Sequence, residues 1–438
     1  MDALKFVVAL FQVPAIILGT VALIGLVAQR SKLGDIISGT VKTILSLLIV
    51  GGGVTVLLAG LGPIQTMFEK ALPTGSLTTF VTFDEAVVSA VQTADVARLG
   101  LIIGLTLLFG YIVHLILARV TPFHYVYLTG HMIWIHAGGF AILFHSLGFS
   151  FFWNVALAAL VDGIYMTLAP ALAQPFMRKI TGSDDIAFGH GQTLLNVFVG
   201  YVGKLVGNPE HSTEDYKLSD KLNFFRDIAV STSMVMLLVA FGAGIAARIQ
   251  IGAAAFNADI SSGQNWAVFC LLTAFGFTAG MLILLYGVRM LIGEIVPAFA
   301  GISERLIPNA KPALDVPVIF PFAPNALLIG LISGLIGQVV GMVALAAIGW
   351  PVPIPSIIVA FFASGAGAIF ANSTGGRRGA WVGGFLWGLI AWFIISLAYK
   401  FQVFGDLTAL GAPALGFTVP DLLIPAIIIH FIAGLFGF

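Results

Sequence analysis

The stretch PNAKPALDVPVIFPFAPNALL, residues 308–328, decides how the rest of the chain is read. It carries five prolines and one carboxylate, Asp315, inside a sequence that is otherwise compatible with lipid. Proline donates no backbone hydrogen bond and stops a helix, so an ordinary membrane-spanning helix is excluded here. At membrane depth, irregular backbone persists only where protein or a water-filled cavity covers it. A broken segment with a carboxylate and amides therefore reads as a solute site near the midplane. The alternative is a plain extramembrane loop.

The surrounding composition favours the first reading. Of 438 residues, 59% are hydrophobic and 9% charged, and the mean hydropathy is +1.05. A water-soluble fold of this size would lack the polar surface to cover itself. The apolar runs are helix-length and lack the alternation of a membrane barrel, so the expectation is an all-α polytopic membrane protein. The zero net charge gives no reason to expect nucleic acid. A single cysteine, Cys270, excludes an intrachain disulfide and a multi-cysteine metal site.

Working outward, transmembrane helices are expected near 8–28, 41–61, 98–118, 123–147, 150–173, 227–247, 265–286, 324–348, 354–373, 380–399 and 420–438, about 11 in all. With the N-terminus outside and the C-terminus cytoplasmic, the inner loops collect 15 of the 20 basic residues, which fixes the expected orientation. The polar run at 208–227 becomes a cytoplasmic linker between residues 1–207 and 228–438.

Those two parts read as inverted repeats. Gly53-Val54, Pro63, Glu69 and Pro73 recur as Gly287-Val288, Pro297, Glu304 and Pro308, 234 or 235 residues later. Five expected spans precede the linker, so the second repeat enters from the opposite side, as in many secondary transporters. Each repeat then offers an irregular segment, TGSLTTFVTFDEAV at 74–87 and NAKPALDVPVIFPFAPN at 309–325. Both are expected to be re-entrant or half-helical. The stretches before them, 62–72 and 297–307, read as amphipathic interfacial helices.

Polar groups elsewhere in apolar sequence mark further candidates. His131 and His136 in TGHMIWIH are about 140° apart on a helix, so they do not form an i, i+4 metal pair. Their imidazoles suit a polyhydroxylated solute. In FGHGQT, glycines flank His190 and Gln192 follows, a pattern for close backbone approach and sugar-type hydrogen bonding. Asp162 sits in an apolar span and raises a proton-coupling role, with pairing to a polar helix face as the alternative. Phosphate-binding glycine loops and HExxH are absent, and no catalytic residue, metal or cofactor is expected.

These segments, together with ISGTVKTILSLLIV (37–50), LTGH (128–131), STEDYKL (212–218), GVRM (287–290), GISERLIPNA (301–310) and LDVPVIFPFAPNA (314–326), resemble the ascorbate-specific EIIC permeases of the bacterial phosphoenolpyruvate-dependent phosphotransferase system. The resemblance implies a homodimer in the bacterial inner membrane, each subunit having a core domain for the solute and a dimerisation domain, both built from the two repeats. It implies binding of L-ascorbate or a related sugar acid or polyol, with phosphoryl transfer by a cytoplasmic EIIB bearing a phosphocysteine, charged in turn by EIIA. Carried over residue by residue, substrate contacts fall on Thr82, Phe83, His131, Ile135, His190, Gly191 and Asp315, with Gln192 beside them. Ile135 and Gly191 stand where the family carries glutamines, and Phe83 where it carries an aromatic hydroxyl; Gln192 and His136 offer substitutes one residue along. The alternative function is a proton-coupled transporter of a small polar solute, using Asp162 and the histidines.

Overall fold

A computed structural model describes residues 14–71, 78–215, 228–305 and 307–437. Among them, seven helices are long and apolar enough to cross a membrane: Leu33–Ala71, Arg98–Val120, Phe151–Thr181, Thr232–Ile251, Trp266–Leu291, Pro324–Ala347 and Ile357–Lys400. Large apolar side chains such as Leu48, Leu108, Leu238 and Leu272 project outward from these helices, as a lipid-facing surface requires.

In chain order the described residues begin with the helices α1 (Pro14–Ala28), α2 (Leu33–Ala71), α3 (Asp84–Ala94) and α4 (Leu101–Val120). The 62–72 stretch, expected as a separate interfacial helix, is the continuation of α2 as far as Ala71, with Pro63 inside it. Its remainder and Pro73 lie outside the described residues. The 297–307 stretch likewise continues a long helix, Trp266–Arg305, through Pro297. An internal proline removes one hydrogen bond and bends a helix, but flanking packing lets the helix resume. That packing is close: a Cβ on Gly287 would lie 2.8 Å from the Val50 backbone nitrogen, and one on Gly53 would meet the backbone of Leu284. Lys42 and Glu294 join the same two helices by an ion pair of 3.1 Å. The glycines read as repeat markers thus serve helix–helix contact.

The irregular segments turn out to be short strands in two parallel three-stranded sheets. In the first, β1 (Thr79–Thr82) lies between Val352–Pro353 and Leu415–Gly416. In the second, Lys311–Leu314 lies between β2 (Tyr125–Tyr127) and β3 (Ala187–Phe188). The plan is the same each time: a central strand from one half of the sequence, flanked by two strands from the other. Pro312 fits a central strand because it pairs only with Val126, the third strand joining one residue later at Ala313. Helices follow these strands: α5 (Gly130–Ser146) after β2 and α7 (Thr193–Val206) after β3, with α6 (Phe151–Thr181) between them.

Between the expected spans 354–373 and 380–399, where a loop would hold GRRG (376–379), the structure has a break inside one helical run, Gly365–Lys400, at Gly376 with φ 56° and ψ −145°. Only glycine adopts that geometry without strain. Arg377 is tied down there: its backbone N–H donates to His211 O (2.8 Å) and its guanidinium to Ser212 O and Asp215 O (3.1 Å each). Beside it, a Cβ on Gly375 would run into the Gly203 backbone of α7. Gly375→Ala is therefore expected to destabilise the fold by about 1–3 kcal/mol, since both partners are backbone and neither yields cheaply. Thermal unfolding in detergent, with Gly104→Ala, whose Cβ would meet nothing, as the control, measures this.

Candidate functional site

Parallel strands end on the same side, about 4.8 Å apart, so residues just beyond β2, β3 and Lys311–Leu314 are brought together. His131 lies in the first turn of α5, His190 two residues past β3, and Asp315 directly after its strand. His131 Nδ1 is 3.8 Å from Asp315 Oδ2, and His190 Nε2 is 3.7 Å from Asp315 Oδ1. The two imidazole rings meet edge to face at 5.7 Å. These separations exceed a hydrogen bond, and each suits two contacts to one bridging atom.

Every member is held in place by its own segment. Asp315 caps the following 3₁₀ helix, accepting the Val316 N–H at 2.6 Å. The start of its strand is pinned by Lys311, which pairs with Asp184 together with Arg178 (2.7 Å) and Gln174 (2.7 Å). Partial burial works against the ionised form of Asp184, but hydrogen bonds from Arg178, Lys311 and Gln174 outweigh it and hold the carboxyl well below the usual range. The His190 carbonyl accepts Tyr165 Oη–H (3.2 Å) and Thr193 Oγ–H (3.1 Å). Thr129 Oγ1 donates to the neighbouring Gly189 carbonyl.

The strongest restraint on this loop comes from a residue that sequence reasoning missed. Asp421 accepts the N–H groups of Thr193 and Leu194 (2.8 Å each) and the Tyr165 hydroxyl (3.1 Å), while its own N–H donates to Gly191 O (3.1 Å). It thereby caps α7 from the helix Pro420–Leu435. Asp84 and Glu214 act in the same way. Asp84 accepts Thr418 N–H (2.7 Å) and Val419 N–H (3.3 Å), and Glu214 accepts Asn325 N–H (3.3 Å) and Ala326 N–H (3.1 Å) at the start of Pro324–Ala347. In sequence, an acid beside a helix start signals only a cap for its own helix. The remote partner has no local signature.

The other expected residues are placed as follows. Thr82 ends β1, buried, and its hydroxyl has no partner among the described residues. Phe83, 55% exposed, donates its N–H to Gly416 O (3.1 Å). Residues 416–421 thus run from the tip of β1 to the His190 loop and connect the two. Ile135 is one helical turn beyond His131 and fully buried in the apolar core. A Cβ on Gly191 would lie 2.7 Å from His136 Cε1 and also meet Val419, so the His136 ring occupies the room a larger residue would need. His136 spends Nδ1 on Met132 O (2.8 Å) and stacks on Tyr165 at 4.1 Å, while Gln192 donates to Phe362 O (3.3 Å). Neither polar substitute is directed at Asp315 by these bonds. Asp162 is fully buried against Gly110, and its oxygens have no hydrogen-bond partner among the described residues.

The arrangement offers a carboxylate and two imidazoles on a pre-formed frame. It can accept and donate hydrogen bonds to several hydroxyls at once. Residues 9–421 match the family model described as the PTS system sugar-specific permease component. The chain belongs to this family. A relative, the ascorbate-specific PTS system EIIC component of Mycoplasma pneumoniae, is 26% identical over 433 residues, covering 88% of this chain. The chain spans 65% of that relative's own length. Long apolar helices and membership of this family agree on a multi-pass membrane protein.

Proposed function

We propose that this permease is the EIIC component that binds L-ascorbate or a related sugar acid or polyol and presents it for phosphorylation by a cytoplasmic EIIB. The observation that carries the reading is the convergence of His131, His190 and Asp315 at the ends of three parallel strands. Thr82, Phe83, Ile135, Gly191 and Gln192 complete the solute environment in this proposal. The shared plan of the two sheets supports two inverted repeats, 1–207 and 228–438, joined by the cytoplasmic linker 208–227. The N-terminus is then outside and the C-terminus inside. The long pair Leu33–Ala71 and Trp266–Arg305 supplies the scaffold of a homodimer, against which the strand-bearing core moves during transport.

The phosphoryl group comes from the partner. Cys270 is fully buried, its thiol 3.9 Å from Met67 Sδ, which is the setting of a packing residue. Arg377, a basic residue on the expected inner side, is engaged with residues 211–215. Lys217, Lys221 and Arg226 lie outside the described residues.

The test is uptake of radiolabelled ascorbate and galactitol into proteoliposomes, with and without phosphorylated EIIB inside. Phosphorylated solute is expected to accumulate only with EIIB, to survive collapse of the proton gradient, and to be unchanged by Cys270→Ser. Accumulation of free solute that stops with an uncoupler and with Asp162→Asn would instead establish proton-coupled transport; the buried carboxylate, without a hydrogen-bond partner among the described residues, is what favours that second reading.

A further inference from the structure

The donor atoms of His131, His190 and Asp315 all lie within 4.8 Å of one another, although the residues come from three separate segments. We propose that this cluster is also a binding site for a divalent transition-metal ion of the zinc class. His131 Nδ1, His190 Nε2 and the Asp315 carboxylate are the three protein ligands. Bound there, the ion competes with the solute.

Three observations carry the assignment. First, the geometry is near that of a metal centre. Metal–nitrogen and metal–oxygen bonds of about 2.0–2.2 Å put tetrahedral ligand atoms roughly 3.4 Å apart. The two histidine–carboxylate separations, 3.8 Å to Oδ2 and 3.7 Å to Oδ1, are within a few tenths of an ångström of that, and one donor atom from each residue falls within a 4.8 Å set. Second, two of the three members are open to an incoming ion. The side chains of His131 and Asp315 are each 41% exposed, whereas His190 is 14% exposed and held by its clamped loop. Asp315 Oδ1 is held by the Val316 N–H, so closure falls to rotation of the exposed His131 side chain. Third, the donor set is selective. Two imidazoles and one carboxylate suit zinc, nickel or cobalt, whereas magnesium and calcium require oxygen cages. With three protein ligands a coordination position stays open, as in sites that exchange water for another molecule. Spacing along any one segment does not reveal this set, which is why the sequence reading expected no metal.

Metal binding stands apart from transport; only the competition rests on the proposed solute site. Tag-free protein, stripped with chelator, is titrated with zinc chloride by calorimetry, with magnesium chloride as control. Cobalt chloride is added separately and its visible absorption recorded. One zinc per chain and a cobalt spectrum of nitrogen-containing low coordination are expected, with no heat from magnesium. His131→Gln, His190→Ala and Asp315→Asn are each expected to weaken zinc binding at least tenfold, by analogy with the roughly 10- to 100-fold losses seen when even outer-sphere partners are removed. His131→Gln changes an exposed side chain and keeps the proposal testable if the buried variants misfold. Unchanged zinc affinity in folded His131→Gln, or equal binding of magnesium, would overturn the proposal. Ascorbate or galactitol affinity is then measured with and without saturating zinc. A competitive loss supports the shared site, and unaffected solute binding refutes it. If neither solute binds while zinc does, the transport reading fails and the metal site stands.

Discussion

Asp421→Ala is expected to weaken solute binding about 100-fold and to lower the thermal unfolding temperature of the protein in detergent. The side chain is fully buried and accepts two backbone N–H groups of α7 and the Tyr165 hydroxyl. Hydrogen bonds to a charged group are worth roughly 1.5–3 kcal/mol each, and deleting the acceptor leaves buried donors unpaired. Part of that loss appears as stability. The rest appears at the site, because the same helix start fixes the loop carrying His190, and each 1.4 kcal/mol is about tenfold in affinity. Asp421→Asn retains one acceptor oxygen and is expected to recover part of both losses. Tyr165→Phe removes only the hydroxyl and should weaken binding without comparable unfolding. The readout is the dissociation constant of folded protein well below the transition, which a purely structural role would leave unchanged.

Asp315→Asn and His190→Ala are each expected to weaken solute binding ten- to hundredfold, from the roughly 1.5–3 kcal/mol of a hydrogen bond involving a charged group. Their separation of 3.7 Å makes a sharper test possible. If one solute hydroxyl bridges the two, the double variant should bind more tightly than the product of the two single losses predicts. Full additivity would place the residues in separate contacts. Unchanged affinity in both single variants would remove them from the site.

Much of the local architecture was legible. The five prolines of 308–328 excluded an ordinary spanning helix, and the segment is a strand followed by a 3₁₀ turn. His131, His190 and Asp315 stand out in the sequence as polar side chains in apolar or broken stretches, and the structure brings the three together. Two boundaries were misplaced for one reason. Pro63 and Pro297 lie inside continuous helices because close packing between glycine faces outweighs the loss of one hydrogen bond. The gap between the expected spans 354–373 and 380–399 is a single-residue break at Gly376, packed against residues 208–215.

The sequence by itself determined the medium and the punctuation. Low charge and helix-length apolar runs require a lipid environment, and clustered prolines and glycines mark where helices break, because both follow from the chemistry of each residue and its near neighbours. Only the tertiary structure decided which broken ends meet. Parallel strands of two to four residues carry too little pattern to specify partners, and their pairing sets Asp315 beside two histidines more than 100 residues away in the chain. Asp421 shows the same limit most plainly. A carboxylate at the start of one helix caps another 228 residues earlier, and that choice depends on long-range packing which no local sequence signal records.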